Sequence, residues 1–326
     1  MNGVIAFFST AIKFSTVFLF GATGEIINQK SGHINMGTPG IMYLGALGGI
    51  VGERIYILSI PAEQALNPFM IVFLPIIFAI IFGSIGGLIF SFFTVTLKCN
   101  QNVTGLTLTT LGVGVACFFI GTVNTERMAE AGLMLQHAFS HYYKAGWFGE
   151  IFLSQSWFTY LGLIVAIAAA IVLNKTRIGL NLRAVGENAS AADSVGINVN
   201  IYRYVATIIG GAIAGIGGAF FELDNAKGMF NVADAVDAFG WLALCIVIFS
   251  VWKPTIAIGA SFLFACLSIL PNFLAPYLGG VLYLTYVLKM VPYLATLIVL
   301  IIVSIFNGKK NQPPANLGVS YFREDR

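Results

Sequence analysis

Charge is scarce in this sequence. Asp, Glu, Lys and Arg make up 10% of its 326 residues, where a soluble domain carries roughly a quarter. With 58% of the chain hydrophobic, that scarcity excludes an ordinary soluble fold and leaves a membrane protein. Cysteine is scarce too: Cys99, Cys117, Cys245 and Cys266 lie in or beside apolar runs with no Cys-x-x-Cys spacing. They point to neither a disulfide framework nor a zinc site and read as small apolar fillers. A net charge of +3 is too small for a nucleic-acid binder. Catalytic patterns are missing as well, with no phosphate-binding Gly-Lys loop, no nucleophile elbow and no paired carboxylate beside an obvious base. The chain is therefore not read as an enzyme. His137 and His141 in "HAFSH" stand four apart, as helical metal ligands do. Without a carboxylate or cysteine beside them they read as polar residues of an external amphipathic segment, and no metal site is expected.

What the chain has in abundance is long apolar runs. A helix needs about 20 mostly apolar residues to cross a bilayer and must satisfy its own backbone hydrogen bonds there. Runs at 4–24, 36–52, 69–97, 105–123, 156–174, 201–221, 238–252, 254–275 and 288–307 meet that need. No alternating barrel pattern competes, so the expected fold is all-α: a polytopic transmembrane bundle of about nine to ten spans, one domain over 1–326. The first run is broken by Lys13, and "GATGEIINQ" offers no clean cleavage site, so it is expected to remain as a membrane helix. Two breaks are basic: 175–203, with Lys175, Arg177, Arg183 and Arg203, and the tail 307–326, with Lys309 and Lys310. The positive-inside rule makes both cytoplasmic. Counting back places Asn124 to Gln155 outside, together with the segments near Glu222 to Asp237 and Asn272 to Gly280. The N-terminus is then outside with nine spans, or inside with ten.

Several breaks in hydrophobicity carry more specific information. "MGTPGIMYLGALGGIVG" contains Pro39 and five glycines, Gly37, Gly40, Gly45, Gly48 and Gly49. It reads either as a discontinuous helix around a transport site or as a surface for close helix packing. "GSIGG" (Gly83 to Gly87) and "GGAIAGIGGAF" (Gly210 to Phe220) are packing signals of the same kind. "GEIINQKSGHINMG" places Glu25, Asn28, Gln29, Lys30, His33 and Asn35 between two runs. It is expected to dip in from the cytoplasmic side, so that Glu25, Asn28, His33, Asn35, Gly37 and Pro39 are the candidate pathway residues. As a plain cytoplasmic loop it would mean nothing special. The spans themselves read as nearly free of carboxylates: Glu25 stands at a span end, and Glu222, Asp224, Asp234 and Asp237 flank the external side. That argues against an ion-coupled carrier, which needs ion ligands in the bilayer.

One polar island remains, "GLNLRAVGENASAADSVGINV", through Gly179, Arg183, Gly186, Glu187, Asn188, Ala191, Ala192, Gly196 and Ile197. It resembles the cytoplasmic loop of ABC importer permeases of the branched-chain amino acid, ribose and nucleoside superfamily. The likeness covers most of the chain. "GATGEIINQKSGHINMGTPGIMYLGA" is similar to that family's N-terminal segment, with Thr38 and Pro39 where the family often has leucine and glutamate. "GGAIAGIGGAFFEL" and "FGWLALCIVIFSVWKP" match later helices, with Ser250 and Val251 in place of a glycine and a polar residue. The ending "PPANLGVSYFREDR" resembles that of the nucleoside branch, whose receptor is a basic membrane protein lipoprotein.

The resemblance implies a permease subunit in the bacterial cytoplasmic membrane, with its C-terminus in the cytoplasm. Its partners would be an ABC ATP-binding subunit, a second homologous permease subunit, an external substrate-binding lipoprotein and the lipid bilayer, with no nucleic acid. It would need no cofactor of its own, since ATP and magnesium sit on the ATP-binding subunit. Arg183, Gly186, Glu187, Asn188, Ala191, Ala192 and Gly196 would form a short coupling helix that docks into that subunit. The residues agree with this: Asn188 is a helix N-cap type, and Arg183 and Glu187, four apart, are spaced to pair along a helix or to reach the partner. A solvated surface loop is the plainer reading. Nucleosides are the expected cargo, with riboflavin or simple sugars as alternatives. An ion-coupled secondary transporter and a membrane-embedded enzyme are the rival classes.

Overall fold

The computed structural model of the chain describes residues 2–61, 63–119, 126–139, 146–228, 230, 234–274, 276, 287–305 and 312–323. Helix is the only regular structure among them. In chain order the helices are α1 (Asn2–Lys30), α2 (Thr38–Ser59), α3 (Pro68–Ser91, closed by a π turn Phe92–Thr96), α4 (Gln101–Phe119) and α5 (Glu126–His137). There follow α6 (Gly146–Phe148, continued by a π turn Gly149–Leu153), α7 (Trp157–Lys175), α8 (Arg177–Glu187), α9 (Ala189–Ser194) and α10 (Val199–Phe220, closed by a π turn Phe221–Asn225). The series ends with α11 (Asp234–Phe249), α12 (Pro254–Leu274) and α13 (Val291–Ile305). Seven helices among the described residues, α1, α2, α3, α4, α7, α10 and α12, are long and apolar enough to cross a bilayer. The expected runs 238–252 and 288–307 coincide instead with shorter apolar stretches, Phe239–Phe249 and Val287–Ile298.

Packing distinguishes central helices from outer ones. α2 and α10 are largely buried, whereas α3 and α7 turn Phe69, Phe73, Ile81, Ile85, Leu88, Ile164, Ile167 and Ile171 outward. Large apolar side chains on an outer face are what a lipid solvent permits. The centre is built from small residues. On α10, Gly210 meets the Gly24 carbonyl of α1, Gly211 meets the Gly83 carbonyl of α3, and Gly218 meets the Met42 carbonyl of α2. Without side chains at these points the helix backbones touch, so dispersion and backbone contacts replace the hydrophobic force that lipid does not supply.

Two sequence expectations are corrected here. The segment from Gly37 is not a discontinuous helix: α2 runs unbroken for 22 residues with Pro39 in its first turn, where a proline costs no hydrogen bond. Its glycines serve packing, Gly45 against Gly215 and Gly49 against Ala219. Nor are the spans poor in carboxylates. α2 continues past the apolar run and buries Glu53, while the π turn of α10 buries Glu222 and Asp224. Lys13 of α1 reaches to 3.8 Å from Asp224 Oδ2. Glu222 and Asp224 do lie at the end of α10 opposite the tail, where the external flank was expected, but inside the helix and buried, because the run of apolar letters stops at Phe221 while the helix does not.

The helix ends sort into two groups. At one end the turns after α1 and α3, the α8–α9 segment, the α11–α12 link and the tail 312–323 are joined by hydrogen bonds and contacts. At the other end Arg127 of α5 donates to the Pro61 and Gln64 carbonyls, and Gln136 donates to the Asp224 carbonyl.

Candidate functional site

The tail end of the bundle holds two adjoining constellations. The first grows from the last turns of α1. Glu25 Oε1 accepts from Gln29 Nε2 (2.9 Å) and the Asn35 amide (3.1 Å), and Oε2 accepts from Asn28 Nδ2 (3.2 Å). Thr38 Oγ1, at the start of α2, lies 3.0 Å from Oε2 and 2.9 Å from the Asn35 carbonyl. Two further bonds carry the network outward: Thr207 Oγ1 of α10 donates to Asn28 Oδ1 (2.7 Å), and Trp252 Nε1 donates to Gln29 Oε1 (2.6 Å). Both oxygens of the buried Glu25 carboxyl group therefore have hydrogen-bond partners, which is what lets so polar a group stay there.

Of the residues expected to line a pathway, Glu25, Asn28 and Asn35 thus form one buried network. His33 lies buried beside it with its ring 6.2 Å from that of Phe90. Gly37 and Pro39 belong to the same corner through backbone packing, Gly37 against Gly105 of α4 and Pro39 against Gly240 of α11. In this conformation the space between Glu25, Asn28, Asn35, Thr38 and Thr207 holds no water-sized cavity. Thr207, Trp252 and the buried Arg203 complete the corner, Thr207 and Arg203 from α10 and Trp252 from the link between α11 and α12, all far along the chain from Glu25.

His33 supplies a pH test. Neither ring nitrogen finds a hydrogen-bond partner among the described residues. Burial first, and then the positive charge of Arg203, hold its pKa well below the usual 6.5. The folded state keeps His33 neutral while the unfolded chain takes up a proton below about pH 6.5. Stability present above that pH is therefore lost as pH falls through it. The melting temperature of the purified protein is expected to drop between pH 7 and pH 5, and His33→Asn to flatten the drop. A His33→Asn profile that parallels the original would remove His33 as the cause.

The second constellation is the polar island. Three side chains cap its helices: Thr176 Oγ1 accepts from the Gly179 amide (3.1 Å), Asn188 Oδ1 from Ala191 (2.9 Å) and Asn198 Oδ1 from Ile201 (3.1 Å). The expected cap at Asn188 is in place, and α9 follows it. Ala192 is buried and Ala191 exposed, so α9 keeps one face free. Gly196 ends α9 at φ +88°, a left-handed position that glycine takes without strain. Of the two readings of Arg183 and Glu187, pairing along the helix is not the one seen. Arg183 Nε donates to the Gly179 carbonyl (3.4 Å), and Glu187 Oε2 accepts from the Ala315 amide (3.3 Å). Gly186 is buried rather than exposed: its Cα faces the Lys30 carbonyl and its own carbonyl accepts from Asn316 (3.0 Å). The tail was expected only to lie on the same side as this island, and the structure packs it directly against Gly186 and Glu187.

Other candidates carry less. His141 lies outside the described residues, as do the side chains of His137, Asp234 and Asp237. Among the described residues no group of three His, Cys, Asp or Glu could hold a metal.

Comparison with known proteins fits a multi-pass bundle of this kind. A nucleoside ABC transporter permease protein, NupC of Lactococcus lactis, is 30% identical over 95% of this chain and 94% of its own length. A putative glucose ABC transporter permease, TsgC13 of Haloferax volcanii, is 29% identical over 83% of this chain and 78% of its own. The guanosine permease NupQ of Bacillus subtilis is 27% identical over 97% and 96%. No solved structure matches. The family described as "Branched-chain amino acid transport system / permease component" matches residues 6–305, nearly the whole helical bundle, and the chain belongs to it as a multi-pass membrane permease component.

Proposed function

We propose that the chain is the permease subunit of an ATP-driven nucleoside importer, forming the pathway with a second permease subunit and driven by a separate ATP-binding subunit. The observation that carries the substrate class is the full-length likeness to permeases named for nucleosides and guanosine. In this reading α8 and α9 face the cytoplasm with the tail. The basic residues Lys30, Lys98, Lys175, Arg177, Arg183, Lys253 and Arg323 gather at that end, as the positive-inside rule requires. The seven long helices together with α11 and α13 make nine crossings, and the N-terminus lies outside. An external lipoprotein receptor delivers the cargo. The Glu25 network is the closed inner corner of the pathway. A second reading, simple sugars, has the Haloferax relative in its favour.

Uptake of labelled nucleoside and of labelled glucose by the reconstituted complex separates these readings. Nucleoside is expected to accumulate and glucose at the same concentration is not; the reverse result would move the assignment to sugars.

Coupling has its own test. A Cβ on Gly186 would lie 2.3 Å from the Lys30 carbonyl, so Gly186→Val pushes α8 away from the end of α1. Glu187→Lys removes the acceptor of the Ala315 amide. Each is expected to lower uptake about tenfold, the size of losing one interaction of ~1.4 kcal/mol, while the receptor still binds nucleoside and ATP is still hydrolysed. Undiminished uptake in both would sink the coupling role.

A further inference from the structure

The tail motif "PPANLGVSYFR" is left unexplained by a permease that needs only helices and a coupling segment, and its contacts are specific. Gly318, at φ +80°, donates its amide to the Gly32 carbonyl (2.9 Å), and Asn316 donates to the Gly186 carbonyl (3.0 Å). Tyr321 Oη donates to Asp193 Oδ2 of α9 (2.8 Å), and Arg323 Nε stands 3.5 Å from the same carboxylate. Lys98, from the turn after α3, lies 4.2 Å over the Phe322 ring, a cation–π distance. The tail is thus a strap fixed to the turns after α1 and α3 and to α8 and α9, all at one end of the bundle.

This strap also builds a surface. Together with the junction of α9 and α10 it walls a polar cleft of about 270 Å³, whose lining includes Lys98, Asp193, Asn198, Tyr321 and Arg323. Its lining sets two cations, Lys98 and Arg323, against one carboxylate, Asp193. Around it stand exposed apolar side chains: Val195 (75% exposed), beside the Gly196 wall, and Val319 (53%) and Phe322 (42%), on either side of Tyr321. Apolar anchors around a charged pocket have the character of a protein interface rather than of a lipid-facing surface, which in this chain carries long aliphatic and aromatic belts.

We propose that the strap forms the second half of the surface that docks the ATP-binding subunit, so that this subunit grips α9 and residues 319–323 together. The inference rests on the coupling reading of α9 given above. The partner chemistry that fits is an apolar patch edged by a carboxylate, the patch covering Val195 and Val319 and the carboxylate entering between Lys98 and Arg323. Movement of that subunit would then pull both on α9 and, through Gly318, on the turn that follows α1.

Site-specific photo-crosslinking in the full complex tests this without depending on whether a variant folds differently. A benzophenone amino acid is placed at Val195 in one preparation and at Val319 in another; both sites are exposed. Both are expected to yield a covalent product with the ATP-binding subunit. A product from Val195 alone would overturn the role of the strap and leave the coupling reading standing. A product from Val319 alone would keep the strap and discard α9, and products from neither, or only with lipid or the second permease, would discard both. As a second readout, Val319→Asp is expected to lower the amount of ATP-binding subunit retained through purification roughly tenfold, as loss of one anchor does. Arg323→Glu should make the remaining association weaken further at low salt, and full retention in both variants would count against the strap.

Discussion

Gly218→Ala is expected to lower the melting temperature of the purified permease by many degrees, although it adds a single methyl group. A Cβ on Gly218 would lie 1.9 Å from the Met42 carbonyl oxygen of α2. That atom is backbone, so no rotamer change can relieve the collision; α2 and α10 must separate by more than an ångström. Separation also costs the contacts of Gly45 with Gly215, where a Cβ would meet Cα at 2.1 Å, and it disturbs the seats of α1 and α3 on the same helix. Overpacking a tight core costs about 1–3 kcal/mol and occasionally more, against a total stability of roughly 5–15 kcal/mol. Here the clash is between backbones of the two most buried helices, so the upper end or beyond applies. Gly114→Ala in α4 is the matched control, because nothing lies within 4 Å of a Cβ there. That change is expected to be neutral or to stabilise by up to about 1 kcal/mol, since alanine favours helix over glycine. Equal melting temperatures for the two variants would overturn the close-packing account of α10.

What the sequence made legible follows from the range of each interaction. The Gly210 to Phe220 pattern announced close packing, and α10 packs closely, but which helix each glycine receives depends on partners far away in the chain. The N-cap at Asn188 was readable because its donor, the Ala191 amide, lies three residues on. Most of the Glu25 network lies within local range, with Asn28, Gln29, Asn35 and Thr38 all within 13 residues. Thr207 and Trp252 stand 179 and 223 residues from the groups they bond, and no local pattern points to them. Glu53 was missed for a different reason. Hydropathy falls at the Glu53–Arg54 pair, but α2 continues to Ser59, since a helix ends where its backbone bonds end rather than where its letters turn polar. The strap was hidden because the contacts that hold it to the bundle are tertiary: the bonds to Glu187 and Asp193 each span 128 residues.

Glu25→Leu is expected to cost at least about 3 kcal/mol, and the conservative Glu25→Gln less than about 1. Leucine is close in size and more at home in a buried site, so area alone would favour it. The hydrogen bonds decide otherwise. Without the carboxylate, Gln29 Nε2, Asn28 Nδ2 and the Asn35 amide lose their acceptor, while Thr38 Oγ1 can turn wholly to the Asn35 carbonyl at 2.9 Å. Each buried donor left unsatisfied costs about 1–3 kcal/mol. Glutamine avoids most of this. Its oxygen can take the place of Oε1, and its nitrogen can face Thr38 as a donor. The one conflict, with Asn28 Nδ2, is removed by turning the Asn28 amide over, because Thr207 Oγ1 can release Asn28 and donate to the Arg203 carbonyl at 2.9 Å. The measurement is thermal or denaturant unfolding of the purified permease, run beside nucleoside uptake by the reconstituted complex. Leu and Gln variants of equal stability would show that the network does not hold this corner. A Gln variant that folds like the original yet fails to transport would assign the negative charge itself to the transport cycle, since the same donors would then be satisfied in a closed corner that no longer opens.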